Sequence, residues 1–123
     1  MTYKTASELT KMMLEYLKDK GNVVWRNNNL AVKGRGFIGK KGVGDIIGYS
    51  KKYGQFISLE IKTIADRMSA DQFSFLTELG ANNGLALLVH QVRDGDIIMT
   101  IFKDYEEKKF KFDVSKNEFY ESN

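Results

Sequence analysis

The chain has no cysteine, no proline and a single histidine, His90. Without cysteine there is neither a disulfide nor a thiolate metal site, which fits a reducing compartment. One histidine excludes a zinc site built on a histidine cluster. No apolar run approaches the ~20 residues of a membrane-spanning helix. The opening stretch MTYKTASELTK lacks the apolar core of a signal peptide. These absences point to the cytoplasm and away from a membrane partner. A length of 123 residues predicts one domain with a modest core.

Charge is present but unevenly spread. Residues 1–62 hold twelve Lys or Arg against five Asp or Glu, a net of +7. Residues 63–123 hold seven against eleven, a net of −4. A basic half of this kind suits a phosphate-rich partner, although basic surfaces also occur without one. Five glycines in the twelve residues KGRGFIGKKGVG, 33–44, predict a mobile loop. Lys33, Arg35, Lys40 and Lys41 make it basic, able to approach a phosphate backbone closely. Phe37 and Ile38 in its middle anchor it or wedge against bases. The spacing is not that of a nucleotide-binding phosphate loop.

This loop leads into the stretch that carries the chemistry. Asp45 to Tyr49 reads as a strand, 50–54 as a turn and Gln55 to Lys62 as a longer strand. Alternation puts Gln55, Ile57, Leu59 and Ile61 on one face and Phe56, Ser58, Glu60 and Lys62 on the other. If the strands pair as a hairpin, Asp45 lies beside Glu60 or Lys62. Converging carboxylates repel, and Mg²⁺ or Mn²⁺ is the usual ion that removes the conflict. Such an ion polarises a scissile phosphate and acidifies a bound water, while Lys62 orients that water or offsets charge on the phosphoryl oxygens. The same spacing also fits an ordinary solvated face of an edge strand, with Asp45 capping a turn.

Before the loop, Thr5 or Ser7 caps a first helix that stops at Gly21. Leu9, Met12, Met13, Tyr16 and Leu17 form its buried stripe. Glu8, at the margin of that stripe, is a candidate for a place beside the metal, and Glu15 reads as solvated. Val23 to Arg26 is a strand, with Trp25 expected in the core and Arg26 pointing the other way. Asn27 to Asn29 is a turn, and Leu30 to Val32 a short strand.

After the hairpin, Ser69-Ala70-Asp71-Gln72 is a capping box, with Phe73, Phe75, Leu76 and Leu79 on the apolar face of a second helix. Leu85 to Val92 then reads as a buried parallel strand reached by a crossover, with His90 near its end and packed or surface-exposed rather than catalytic. Ile97 to Phe102 is a strand, 103–109 a charged turn, and Phe110 to Val114 a last strand. Phe119 and Tyr120 pack back on the domain or form a subunit contact.

In this order the residues resemble the VRR-NUC family of the PD-(D/E)XK nuclease superfamily. The elements are Glu8 in ASELTKMMLEYL, Arg26-Asn27 in VVWRNNN, Lys41 to Asp45, the strand ISLEIKT from Ile57 to Thr63, and Ser69 to Phe73. The similarity spans roughly residues 5–92. The resemblance implies an α/β fold with a central mixed sheet flanked by helices. It also implies a Mg²⁺- or Mn²⁺-dependent endonuclease cutting DNA phosphodiester bonds. Asp45, Glu60 and the Ile61 carbonyl would be the metal ligands, Lys62 the catalytic lysine, and Glu8 and Gln72 supporting residues. Arg26, Lys33, Arg35, Lys40 and Lys41 would face DNA. Compact members of this kind resemble virus-encoded homodimers acting on branched DNA such as four-way junctions, here in the host cytoplasm. One departure is Gly44, where the family often has proline before the aspartate. The competing readings are a DNA-binding module without catalysis and a structural dimerisation protein.

Overall fold

The computed structural model describes residues 3–27, 31–32, 36–37 and 40–122, with only the backbone of 31–32 and 36–37. Helix α1 (Ala6–Asp19) leads to strand β1 (Asn22–Arg26). β2 (Ala31–Val32) and β3 (Gly36–Phe37) form a separate two-stranded ladder. β4 (Ile46–Ser50) and β5 (Phe56–Lys62) are the expected hairpin, with Ile46 opposite Leu59 and Tyr49 opposite Phe56. Helix α2 (Ala70–Ala81) then crosses to β6 (Leu85–Gln91), which runs parallel to β5. β7 (Ile97–Lys103), β8 (Glu106–Asp113) and β9 (Glu118–Glu121) follow as an antiparallel meander. The result is an α/β fold with a seven-stranded mixed sheet in the order β1-β4-β5-β6-β7-β8-β9.

The two helices cover opposite faces. Leu9, Met13 and Leu17 of α1 are buried against Val24, Ile46, Ile57, Leu59, Val89 and Met99. These sheet residues share one face by register. Leu76 of α2 packs with Ala86 and Phe102 on the other face. The capping box expected at Ser69 to Gln72 is formed, and Thr5 forms a second one with Glu8 that the sequence reading does not include. Thr5, not Ser7, is the first cap.

Several expectations fail, each for a physical reason. Trp25 is not core: it is 48% exposed, and Val24 is the buried residue of β1. β1 is an edge strand, and α1 covers only the face that Val24 shares. Phe73 is likewise 46% exposed, retained by an edge-on contact with Phe102. The charged stretch 103–109 is not a turn. Only Asp104 and Tyr105 turn, at φ of 52° and 66°, and β7 and β8 run straight into them. Lys108, Lys109 and their acidic neighbours are exposed on β8, so strand pairing overrides their polarity. Val114 lies past the end of β8 and is 81% exposed. Phe119 packs back as expected, buried against Tyr16 and Phe112. The role given to Phe37 and Ile38, and the start of the short strand at Leu30, lie outside the described residues.

Candidate metal centre

The hairpin register places Asp45, one residue before β4, across from Glu60. β4 ends there, so the N–H of Ile61 has no ladder partner on that side. The Asp45 carboxylate takes it, with Ile61 N to Asp45 Oδ2 at 2.8 Å. The Ile61 carbonyl lies on the same edge of its strand as its N–H, facing the side where β4 has ended.

Glu60 points from β5 toward the α2 side and is 3% exposed. Its Oε1 accepts from Gln72 Nε2 at 2.9 Å and lies 3.7 Å from Lys62 Nζ. Its Oε2 is buried with no hydrogen-bond partner. Burial, then the charge of Asp45, push the Glu60 carboxyl up to about 8, against a downward pull from Lys62. A buried carboxylate with one unsatisfied oxygen beside a second carboxylate is a costly arrangement for a purely structural pair. The donor set is oxygen only, which suits a hard divalent cation. Asp45, Glu60 Oε2 and the Ile61 carbonyl therefore fit such an ion. Among the described residues, no group of three or more His, Cys, Asp or Glu side chains is placed to hold a metal.

Two devices fix this geometry. Asn27 fastens the approach to Asp45 twice, donating from its N–H to the Asp45 carbonyl at 2.8 Å and from Nδ2 to the Gly44 carbonyl at 3.1 Å. Ser58, fully buried, accepts from Gly44 N at 2.8 Å. That bond, with the close backbone around it, calls for glycine at position 44. Proline has no N–H to give, and any Cβ at 44 would sit 2.5 Å from the Leu59 carbonyl oxygen. Ser58 carried no weight in the sequence; its signal was a small hydroxyl in the middle of an otherwise apolar strand. Asn27 was noted only for the turn and the resemblance.

On the other side, Gly42 at φ +85° lies close to the backbone of Asp71. This brings the segment before Asp45 against the first turn of α2, beside Gln72. Gln72 is both helix cap and partner of Glu60: its Oε1 accepts from Ser69 N and its Nε2 reaches the carboxylate. Gln72→Ala therefore removes the bond that aims Glu60. A ~10–100-fold loss of metal affinity is expected, by analogy with other outer-shell partners. Mn²⁺ titration by calorimetry checks it; unchanged affinity would show that Gln72 serves only the helix.

The other expected residues are distributed less favourably. Glu8 is exposed, and its Oε1 accepts from Thr5 N in the capping box. Bonds from Thr5 hold its carboxyl below the ordinary value. No recorded contact joins it to the Asp45–Glu60 pair. Arg26 stands opposite Ile46, on the α1 face, across the sheet from Glu60. Lys40 and Lys41 are exposed and line a cavity of about 360 Å³ beside α2 with Asp71, Ser74 and Phe75. Lys33 and Arg35 lie outside the described residues. His90 sits next to Lys62 in the parallel register, with a buried Nε2 that has no hydrogen-bond partner. Among the described residues no helix is long and apolar enough to cross a membrane. No protein-family model matches the chain, and no curated protein matches it.

Proposed function

We propose that the chain is a metal-dependent endonuclease of the VRR-NUC, PD-(D/E)XK type, hydrolysing DNA phosphodiester bonds, with branched DNA as its substrate and a homodimer as its working form. The observation that carries this reading is the buried Oε2 of Glu60, which has no hydrogen-bond partner, on a carboxyl that feels the charge of Asp45 and whose other oxygen lies 3.7 Å from Lys62 Nζ. Mg²⁺ or Mn²⁺ at this site supplies Lewis-acid activation of the phosphate and of a water. Asp45 and Glu60 hold the site's negative charge, and Gln72 keeps Glu60 from rotating. Lys62, only 14% exposed along its side chain, holds an ammonium within 3.7 Å of Glu60. From there it orients the attacking water or offsets charge on the phosphoryl oxygens. A symmetric dimer would bring two such centres to two strands.

The test is cleavage of labelled four-way-junction, flap and linear duplex DNA, side by side, in EDTA, Mg²⁺ or Mn²⁺. Asp45→Asn and Lys62→Ala are expected to lose activity on the order of 10²–10³-fold with an unchanged circular dichroism spectrum. Paired nicks across the junction support the dimer. Binding without cleavage of any substrate would favour the non-catalytic DNA-binding module.

A further inference from the structure

On the face of the sheet that carries Glu60, α2 packs over β6 and β7, and its first turn reaches Glu60 near the end of β5. Over β1, β4 and the start of β5 that face carries exposed aromatic rings. Register sorts these residues into rows. Val23, Tyr49 and Phe56 stand side by side in one row, and Trp25, Ile47 and Ser58 in the next. Asp45 and Glu60 follow in line. Successive rows are two strand residues apart, about 7 Å. Trp25, Tyr49 and Phe56 are 48%, 45% and 43% exposed. The far end of the patch is rimmed by the turn carrying Lys51 and Lys52, both exposed. Lys52 Nζ lies 5.2 Å from the ring centroid of Tyr53, itself 69% exposed.

We infer that this aromatic patch is a stacking platform for unpaired bases next to the scissile phosphate, so that the branched DNA the chain cuts carries an unpaired strand beside the cut. The inference rests on the nuclease reading. Its occupant follows from chemistry. Exposed aromatic rings in two adjoining rows of one sheet face, with cations at one end and a phosphate-directed centre at the other, complement a strand whose bases are free and whose backbone is anionic. A paired duplex hides its base faces in the stack and presents only phosphates to such a surface.

Trp25 is the sole tryptophan of the chain, so its emission reports the patch directly. The experiment titrates a single-stranded oligothymidylate, and a duplex of the same length, into the protein in EDTA, where no cleavage is needed for a signal. Single strand is expected to quench Trp25 emission and the duplex to leave it nearly unchanged. Tyr49→Ala should weaken single-strand binding ~5-fold or more, and Trp25→Ala likewise by anisotropy, with Trp25→Phe restoring most of it. Equal affinity for duplex, unmoved emission or a neutral Trp25→Ala would overturn the platform. So would emission that changes with protein concentration alone, which would mean that a second copy covers the patch. Cleavage in Mn²⁺ is scored separately. Quenching without cleavage defeats the nuclease reading and leaves the platform; duplex cleavage with a neutral Trp25→Ala does the reverse.

Discussion

Glu60→Gln should abolish metal-dependent cleavage while making the metal-free protein more stable. The two effects share one cause. Glu60 is nearly fully buried beside Asp45, and its carboxyl is raised to about 8 from an ordinary 4.5. Between those two pH values the folded chain keeps a proton that the unfolded chain has released. Stability of the metal-free protein should therefore be highest below about 4.5 and fall as pH rises toward about 8. Glutamine keeps the shape and the acceptor for Gln72 but removes the charge. Its gain at pH 8 is on the order of 1–4 kcal/mol, as for other buried charges replaced by neutral groups. The loss of activity should be on the order of 10³-fold or more. Mn²⁺ should raise the melting temperature of wild type more at pH 8 than at pH 6, because binding displaces the proton. It should leave Glu60→Gln nearly unmoved. Wild-type cleavage by Glu60→Gln, or the same pH slope in both proteins, would contradict this account.

The largest stability effect is expected at Gly48, far from any charge. A Cβ there would lie 1.9 Å from the Val23 carbonyl oxygen and 2.7 Å from Val24 Cα. Both atoms are backbone, so no side chain can swing aside. Gly48→Ala must push β1 away from β4, at a cost of about 3 kcal/mol or more. Gly54 offers the contrast. It has a positive φ of 67° but open space around it, so Gly54→Ala should cost only about 1–2 kcal/mol from backbone strain. Thermal denaturation should separate the two clearly. Displacing β1 also moves Asn27, so Gly48→Ala should lose cleavage beyond its loss of folded protein. Equal melting temperatures for the two variants would show that β1 can shift freely.

Much of the fold was legible because local signals agreed with one another. The Ser69–Gln72 capping box, the hairpin, the crossover to a parallel β6 and a place for Asp45 beside Glu60 or Lys62 followed from residue type and alternation. The failures come where tertiary context decides. Nothing in VVWR tells which face α1 will cover, so Trp25 was assigned inward on its apolarity alone. The charged β8 looked like a turn because its partner β7 supplies the ordering, not its own side chains. For Glu8 the sequence offers a place beside the metal, from its position at the margin of the buried stripe, and does not reveal the bond back to Thr5. In the structure the cap holds it. Asn27 and Ser58 were hard to see because their work is done on the backbone of residues distant in sequence.

Gln72 has a consequence for how this centre can change. One amide serves two masters: its oxygen starts helix α2 and its nitrogen aims Glu60. The helix register and the direction of the carboxylate are thus a single mechanical variable. A glutamate at 72 would still start the helix, since the cap uses only an acceptor. Yet it would turn a donor into a third anion facing Glu60. The helix cap and the charge of the centre can therefore drift apart only through this one side-chain nitrogen.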